Sequence, residues 1–425
     1  MEHRDITELV MQFVLQLGVI ILVAKVFGEL VERIFKQPGV LGELAAGILI
    51  GPYALGGMIH VPGIDGAVFA LQGGQLPVSD ELWAMAQVGA VVLLFMAGLE
   101  TDLPSFLKYA GPATVIAVGG VVMPFVLGVV ATVWMGYADS YMSGPALFVG
   151  AIMVATSVGI TARVLSDIKH LDTPEGVTIL GAAVVDDVVG IMVLAVVVGL
   201  ARTGSFDMAS AGVTFLKAGG FYVVFMAVGL ALSKYIASFL DWFKGRGATV
   251  GVAASLAFLA AAVAEMFGLA MIIGAYAMGL VLSDTKLKHY LEERLEGVYY
   301  VLVPIFFCVL GMLVNIPAMR GALLFGGVLS LLAIVSKVVG CGLPSLLVGF
   351  NQRGAWRIGV GMMPRGEVAL IIAGVGMAEG LIDTSIFGVS ILMTIVTTML
   401  APMILVPAFQ KGGSGLRSRD EAPAG

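Results

Sequence analysis

The sequence predicts an all-α polytopic membrane protein, and three observations support this fold class. First, 59% of the 425 residues are hydrophobic and only 12% are charged, with a mean hydropathy of +1.02, whereas a soluble domain carries about 25% charged residues. Second, the apolar residues gather in runs close to the roughly 20 residues that a helix needs to cross a bilayer. Third, Lys and Arg fall almost entirely on one side of the resulting topology.

Hydropathy divides the chain into about thirteen predicted transmembrane helices, many of them rich in glycine. Glycine lets helices approach closely and lets a helix be interrupted inside a membrane. The segment 411–425 is polar and rich in Gly and Ser, so we expect a disordered tail there. The predicted spans lie near 8–32, 39–56, 82–99, 111–135, 145–165, 176–201, 212–236, 248–266, 268–283, 299–316, 321–349, 355–378 and 385–409.

The distribution of basic residues predicts an N-terminus outside and a C-terminus in the cytoplasm. In this orientation sixteen Lys and Arg residues fall in cytoplasmic segments, and only Arg4, Arg202 and Arg320 fall in outer segments. Cytoplasmic loops of membrane proteins carry such an excess of positive charge. No removable signal peptide is evident, so we expect the first span to target the protein to the membrane.

Two adjacent carboxylates, Asp186 and Asp187, lie in the middle of the predicted span 176–201. A charged group at the centre of such a helix costs about 2.5–3.5 kcal/mol even on the lenient insertion scale, so an intramembrane acid indicates a functional site. Neighbouring side chains point about 100° apart on a helix. One carboxylate can therefore face a counter-ion on a partner helix, while the other faces a cavity and takes a cation or a proton.

Two basic residues, Lys337 and Arg365, lie deep within the predicted spans 321–349 and 355–378, where each needs a partner. We expect Lys337 to pair with one of the two aspartates, and Arg365 to pair with Glu367 or another acid. A buried Lys–Asp pair can exchange its bond for a proton or a metal ion, because both groups can change protonation when desolvated. The alternative is that these pairs only hold the helices together.

Two spans contain residues that interrupt a membrane helix. The hydroxyls of Thr156 and Ser157 and the following glycine lie in one, and Pro364 and Gly366 lie in the other. These two spans occupy the middle of two helix triplets that run in opposite directions, which is the inverted-repeat plan of secondary transporters. The pattern predicts an ion site where two broken helices cross, although Thr156 and Ser157 could instead bond back to the preceding turn.

Several classes of function are disfavoured. Cys308 and Cys341 lie in apolar spans, so we expect neither a disulfide nor a cysteine metal cluster, and no cofactor. The net charge of −6 and the lack of a basic cluster argue against a nucleic-acid partner. An intramembrane aspartyl protease needs its two acids on separate helices that face one water. Adjacent acids on one helix do not meet that geometry, so we do not expect an enzyme.

A set of motifs spread over almost the whole chain resembles the second family of monovalent cation:proton antiporters. The motifs are residues 37–52, 95–100, Thr156-Ser157, Asp186-Asp187, Pro304-Ile-Phe-Phe307 and Pro364-Arg-Gly-Glu367. The likeness is to the NapA-type bacterial sodium/proton exchangers in particular. It implies an NhaA/NapA-like antiporter fold in a cell (inner) membrane, a homodimer surrounded by lipid, and exchange of Na⁺ or Li⁺ for H⁺.

The resemblance also implies a division of labour along the chain. A dimerisation domain would comprise 1–110 and 248–319, a moving core domain would comprise 111–201 and 320–410, and a linking helix would lie in 202–247.

The same resemblance assigns roles to the polar residues. Asp187 would carry the cation and the proton, Asp186 would pair with Lys337, and Thr156 and Ser157 would line the crossing. The paired aspartates and the lack of a nucleotide-binding domain favour Na⁺. A K⁺/H⁺ antiporter and a Na⁺-coupled symporter of organic anions stay open as alternatives.

Overall fold

The computed structural model describes residues 6–61, 66–72, 76–203, 208–243, 245, 247–315, 317 and 323–417. These residues form helices, and the only β-structure among them is two isolated bridges, His60 to Ala67 and Phe350 to Leu416. The helices are α1 Ile6–Leu30, α2 Gly39–Ile50, α3 Asp80–Glu100, α4 Leu103–Trp134, α5 Gly144–Val154, α6 Val158–Asp167, α7 Pro174–Thr203, α8 Met208–Asp241, α9 Ala248–Met266, α10 Met271–Ser283, α11 Lys288–Met312, α12 Leu323–Leu347, α13 Gln352–Gly361, α14 Glu367–Ala378 and α15 Thr384–Gln410.

The length and composition of the helices are those of a multi-pass membrane protein. Among the described residues, eleven helical segments are long and apolar enough to cross a membrane by length and composition. Two of the predicted spans contain shorter helices instead: α10 lies within 268–283, and α13 and α14 divide 355–378. The all-α class is confirmed, while the number of thirteen spans and the N-out, C-in orientation stay predictions.

The first of two compact units comprises Met1–Leu93 and Arg294–Pro317. Within it, α2 and the second half of α11 approach so closely that a side chain would clash. A Cβ atom on Gly47 would lie 1.8 Å from the carbonyl oxygen of Cys308, and one on Gly311 would lie 2.2 Å from that of Leu44. Lipid is as apolar as the side chains, so membrane helices associate through such close packing rather than through the hydrophobic effect.

The second compact unit comprises Leu94–Glu293 and Ala318–Gly425 and contains every residue predicted to form the site. Its apolar core includes the fully buried Phe148 of α5 and Phe325 of α12. Helix α12 also packs on α4, where a Cβ atom on Gly119 would lie 2.2 Å from the carbonyl oxygen of Gly340. Lys337 lies one turn before Gly340 on the same helix face, so this close approach carries its side chain into the interior.

The segment 411–417, which we expected to be disordered, makes regular hydrogen bonds. Arg357 donates to the carbonyl oxygens of Gly412 and Gly413 at 2.8 and 2.9 Å, and the backbone N–H of Asn351 donates to Gly415 at 2.9 Å. The glycines leave the tail carbonyls accessible to these donors, which sequence composition does not reveal. The rest of the predicted tail, 418–425, lies outside the described residues, as do Arg4, Lys244, Arg246, Arg320 and Arg419 of the charge bias.

The predicted functional division into dimerisation, linking and core segments stays a prediction. The two compact units describe how the chain packs, and they divide it within α3 and α11.

Candidate functional site

Helix α7 places Asp186 and Asp187 near its middle, and both side chains are buried. Their immediate neighbours are apolar, so the sequence offers no local donor for either carboxylate. Any donor must therefore come from another helix. Because adjacent residues diverge by about 100° around the helix, the two carboxylates meet different surroundings.

Asp186 is held by an ion pair across the unit. The Nζ atom of Lys337 donates to Oδ1 of Asp186 at 2.7 Å, and neither side chain is exposed. This is the pairing of Lys337 with one aspartate that the sequence predicts. The second carboxylate oxygen of Asp186 has no hydrogen-bond partner among the described residues. The pair is therefore incomplete, because a carboxylate can accept about four hydrogen bonds.

Asp187 is buried without any hydrogen bond to either carboxylate oxygen in the part of the chain that the structure describes. It interacts electrostatically with Asp186, Glu367 and Lys337. Burying an ionised carboxylate without a partner is so costly that such a group is neutralised instead. The surroundings of Asp187 therefore call for a proton or a cation on this carboxylate.

The first helix interruption follows α5, which ends at Val154, and precedes α6, which begins at Val158. The intervening residues 155–157 leave helical geometry, with φ/ψ of −52°/135° at Ala155 and −88°/105° at Ser157. The hydroxyls of Thr156 and Ser157 are buried, and neither makes a hydrogen bond among the described residues. They do not bond back to the preceding turn, so both oxygens are available to a ligand.

The second interruption, residues 362–366, separates α13 from α14 and contacts the first directly. The backbone N–H of Ser157 donates to the carbonyl oxygen of Pro364 at 2.8 Å. Gly366 also packs directly against Ser157, because a Cβ atom at position 366 would lie 2.6 Å from Oγ of Ser157. We call the two interruptions, 155–157 and 362–366, the crossing.

Side chains at the crossing satisfy the helix ends that the interruptions create. The last carbonyls of a helix have no partner within it and carry partial negative charge. Arg365 donates through Nη1 to the carbonyl of Val154 at 2.9 Å and to that of Ala155, both at the end of α5. Thr161 donates to the carbonyl of Gly361 at the end of α13, at 2.6 Å.

The pairing of Arg365 with an acid stays a prediction, because Arg365 interacts electrostatically with Asp186. Its guanidinium donates to backbone carbonyls, and it forms no ion pair with Glu367 among the described residues. The physical reason is the helix dipole: the negative end of α5 attracts the cation, and Glu367 lies in the first turn of α14, at the positive end of a helix. Glu367 is buried, and its Oε2 has no hydrogen-bond partner among the described residues.

Sequence reasoning missed two contributions to this region. Thr398 of α15 donates to the carbonyl of Arg365 and so fixes the second interruption. Arg357, which we counted as a cytoplasmic charge, is buried and forms an ion pair of 2.6 Å with Glu175 in the first turn of α7. For Thr398 the available signal was a polar residue on an apolar helix, whereas Arg357 and Glu175 lie near predicted helix ends, where a charge is unremarkable.

The described residues contain no cluster of three or more His, Cys, Asp and Glu side chains that could hold a metal ion. Helix α7 instead offers two carboxylates that interact electrostatically with Arg365 and Glu367, and the crossing offers the buried hydroxyls of Thr156 and Ser157. Such oxygen atoms are the ligands that hard cations prefer.

The chain is similar to known proteins over nearly its whole length. Residues 18–411 match the family described as "Sodium/hydrogen exchanger, transmembrane". The high-affinity Na⁺/H⁺ antiporter NhaS3 of Synechocystis is 36% identical, with 99% of this chain and 94% of that protein covered. The Na⁺/H⁺-K⁺ antiporter GerN of Bacillus cereus is 34% identical, with 94% and 96% covered.

A solved structure shares the fold. The sodium proton antiporter MjNhaP1 of Methanocaldococcus jannaschii superposes with a TM-score of 0.67, covering 95% of this chain and 99% of that chain, at 18% sequence identity.

Proposed function

Because this chain belongs to the sodium/hydrogen exchanger family, whose members are transporters and not enzymes, we propose that it exchanges Na⁺ or Li⁺ for H⁺ across the membrane. Exchange of a cation for protons agrees with the family as a whole. The choice of Na⁺ is supported by the paired aspartates and by the name of the relative NhaS3, a high-affinity Na⁺/H⁺ antiporter.

The observation that carries this proposal is the carboxylate of Asp187, which is buried and accepts no hydrogen bond among the described residues. A site that only held helices together would satisfy this group, because an unpaired buried charge is destabilising. A site that alternately binds a proton and a cation must leave it unsatisfied by the protein. Asp187 is therefore the principal exchanging group.

The remaining ligands come from the crossing. Thr156 and Ser157 present buried, unbonded hydroxyl oxygens, and the free oxygen of Asp186 completes an all-oxygen set. On one side of the membrane both acids release their protons, and Asp186 then pairs with Lys337. Na⁺ binds to Asp187 and draws Asp186 away from Lys337, and protonation of both acids from the opposite side then releases the ion.

Charge balance makes the proposed cycle electrogenic. Two protons move against one Na⁺, so each turnover carries one net charge, which is worth about 2.3 kcal/mol per 100 mV of membrane potential. Lys337 compensates the charge of Asp186 whenever that acid is ionised and the site is empty.

The motion that completes the cycle is alternating access of a core domain, 111–201 and 320–410, against a dimerisation domain, 1–110 and 248–319. The two interrupted helices would belong to inverted repeats, as in other secondary transporters. The protein would act as a homodimer in the cell (inner) membrane of a bacterium, N-terminus outside, with a role in pH homeostasis. Support comes from the charge bias and from the bacterial relatives.

A second candidate, K⁺/H⁺ exchange, is favoured by one specific observation: the relative GerN is named a Na⁺/H⁺-K⁺ antiporter. Dissipation of a pH gradient in proteoliposomes by Na⁺, Li⁺ and K⁺, measured over a pH series, distinguishes the two. A response to K⁺ equal to that to Na⁺ would replace the Na⁺ proposal.

The central test is Asp187→Asn in proteoliposomes. Asparagine has nearly the same shape but holds neither the exchanged proton nor the charge that binds Na⁺, so we expect exchange to fall to the level of empty liposomes. The matched control is Asp172→Asn, the same chemical change at an exposed position just before α7. A folded Asp187→Asn protein that still exchanged Na⁺ for H⁺ would remove the assignment.

A further inference from the structure

A cavity of about 670 Å³ opens at the end of the second unit where α15 finishes, away from the crossing. Among the described residues it is lined by Leu346, Asn351, Gln352, Arg353 and Arg417, which include two arginines and no acid. We call it the anion pocket. Two guanidinium groups in one cavity repel each other unless an anion lies between them, and planar guanidinium groups match phosphate oxygens well.

The ordered tail builds the anion pocket. Asn351 donates through Nδ2 to the carbonyls of Ser414 and Leu416 at 3.0 and 2.9 Å. The backbone N–H and Nη2 of Arg417 donate to the carbonyls of Gly349 and Leu346, each at 2.9 Å. Arg417 is thereby fixed beside the start of α13, although it is distant in sequence from the rest of the pocket.

Arg353 lies against the tail from the same side. A Cβ atom on Gly413 would lie 1.8 Å from its Nη1, so the bare backbone of the tail provides the space that this guanidinium occupies. Gly413 also has φ of +77°, which favours glycine. The N-terminus of α13 adds partial positive charge to the pocket. The tail, the helix end and the two arginines together form a built site for a negatively charged group.

The surroundings of the pocket indicate where that group comes from. Leu343 lies one turn before the lining residue Leu346 on α12 and Leu347 directly follows it, and both Leu343 and Leu347 are more than half exposed. Trp356 lies one turn along α13 from Arg353 on the same face, and is 48% exposed. An exposed tryptophan and leucines directly beside arginines are typical of the boundary between lipid headgroups and acyl chains.

We propose that the anion pocket binds the phosphate of an anionic phospholipid, with Arg353 and Arg417 on the headgroup and the acyl chains along Leu343, Leu347 and Trp356. The charge bias predicts that this leaflet is the cytoplasmic one, where anionic lipids attract clustered basic side chains. A bound lipid would also hold the tail on α13, since Arg417 belongs to the tail.

The test is binding of phosphatidylglycerol to the full-length protein purified in a zwitterionic detergent, with phosphatidylcholine as the uncharged reference. A basic group near an anionic lipid is worth about fivefold in affinity, so Arg353→Gln should weaken binding about fivefold and the double variant with Arg417→Gln about thirtyfold. The matched control is Lys411→Gln, an exposed basic residue of the same tail that does not line the pocket. It should change binding by less than about twofold.

Two results would overturn the proposal. One is unchanged phosphatidylglycerol binding in Arg353→Gln, a substitution at an exposed side chain that should not disturb folding. The other is inorganic phosphate displacing the lipid at the concentration at which the lipid itself binds, because the pocket would then be a site for a soluble anion. Glycerol 3-phosphate has the charged part of the headgroup but no acyl chains. If it competes only weakly with phosphatidylglycerol, the acyl chains contribute to binding, and the ligand is the lipid.

Discussion

Two buried ion pairs connect α7 to other helices of the second unit, and they differ in how fully their polar groups are satisfied. Near the middle of α7, Lys337 makes one hydrogen bond to Asp186, and the second oxygen of that acid accepts none among the described residues. Near the start of α7, Arg357 binds Glu175 and also donates to the carbonyls of Ala408, Gly412 and Gly413. We call this second network, Arg357, Glu175 and the carbonyls of 412–413, the clamp.

The difference separates a structural network from an exchanging one. Arginine stays charged under all ordinary conditions and its planar fork can hold several acceptors at once, whereas a buried lysine can lose its proton. Releasing a partner from a saturated network such as the clamp would break hydrogen bonds without forming new ones. An incomplete pair such as Lys337–Asp186 can exchange its single bond for another ligand at small cost. Damage to the clamp should therefore lower stability, and damage to the crossing should change transport.

The largest expected effect is on the clamp. Arg357→Met leaves Glu175 buried without its counter-charge, so we expect a loss of about 3–5 kcal/mol in the free energy of unfolding. Thermal unfolding in detergent measures the loss, and exchange per folded molecule should persist. The control is Arg33→Met, which breaks an exposed pair with Glu29 and should cost no more than about 1 kcal/mol. If Arg357→Met were as stable as the unmodified chain but had lost transport, the clamp would belong to the exchange mechanism and not to the structural network.

The next effect concerns the pair of Lys337 with Asp186. Lys337→Gln removes the compensating charge, so we expect the net current per exchange cycle to fall toward zero, or transport to stop. The substitution also removes the counter-charge of the buried Asp186, but it breaks only one hydrogen bond, so we expect a smaller loss in the free energy of unfolding than for Arg357→Met.

Currents on a supported membrane and the unfolding temperature test this prediction. Lys234→Gln, at an exposed lysine of α8, is the control and should change neither quantity. An unchanged current per exchange cycle, together with a stability loss as large as that of Arg357→Met, would mean that this pair is as structural as the clamp.

The sequence was informative where few partners are possible. Inside a membrane a lysine has few acids to meet, so the pairing of Lys337 with an aspartate could be predicted. Pro364, Gly366 and the hydroxyls of Thr156 and Ser157 likewise indicated where the helices α5–α6 and α13–α14 would be interrupted.

Sequence reasoning did not anticipate side chains whose hydrogen-bond partners are backbone carbonyls. Arg365 donates to carbonyls that are free only because α5 ends at Val154, and a list of charged residues does not include such acceptors. The clamp was missed for a related reason. Glu175 and Arg357 are 182 positions apart, and each lies near a predicted helix end where a charge is unremarkable.

A smaller effect is expected from Gly366→Ala at the crossing. The new Cβ atom would lie 2.6 Å from Oγ of Ser157, so this hydroxyl must move, at a cost of about 1–3 kcal/mol. We expect weaker Na⁺ binding, measured as a higher Na⁺ KM, with the clamp intact. The control, Gly374→Ala in α14, meets no atom within 4 Å and should leave the KM unchanged. An unchanged Na⁺ KM in Gly366→Ala would mean that Ser157 does not contribute to ion binding.

The smallest effect is expected from Thr398→Val, which keeps the side-chain shape and removes the hydrogen bond to the carbonyl of Arg365. The loss should be about 1 kcal/mol, because a buried acceptor is left with one fewer donor. Since that carbonyl belongs to the crossing, the loss should appear in the Na⁺ KM as well as in the unfolding temperature. Thr397→Val is the control, because its hydroxyl bonds only within α15, to Met393 and Thr394. If both variants lowered the unfolding temperature equally and neither changed the KM, Thr398 would belong with the structural contacts, and the crossing would be smaller than we describe.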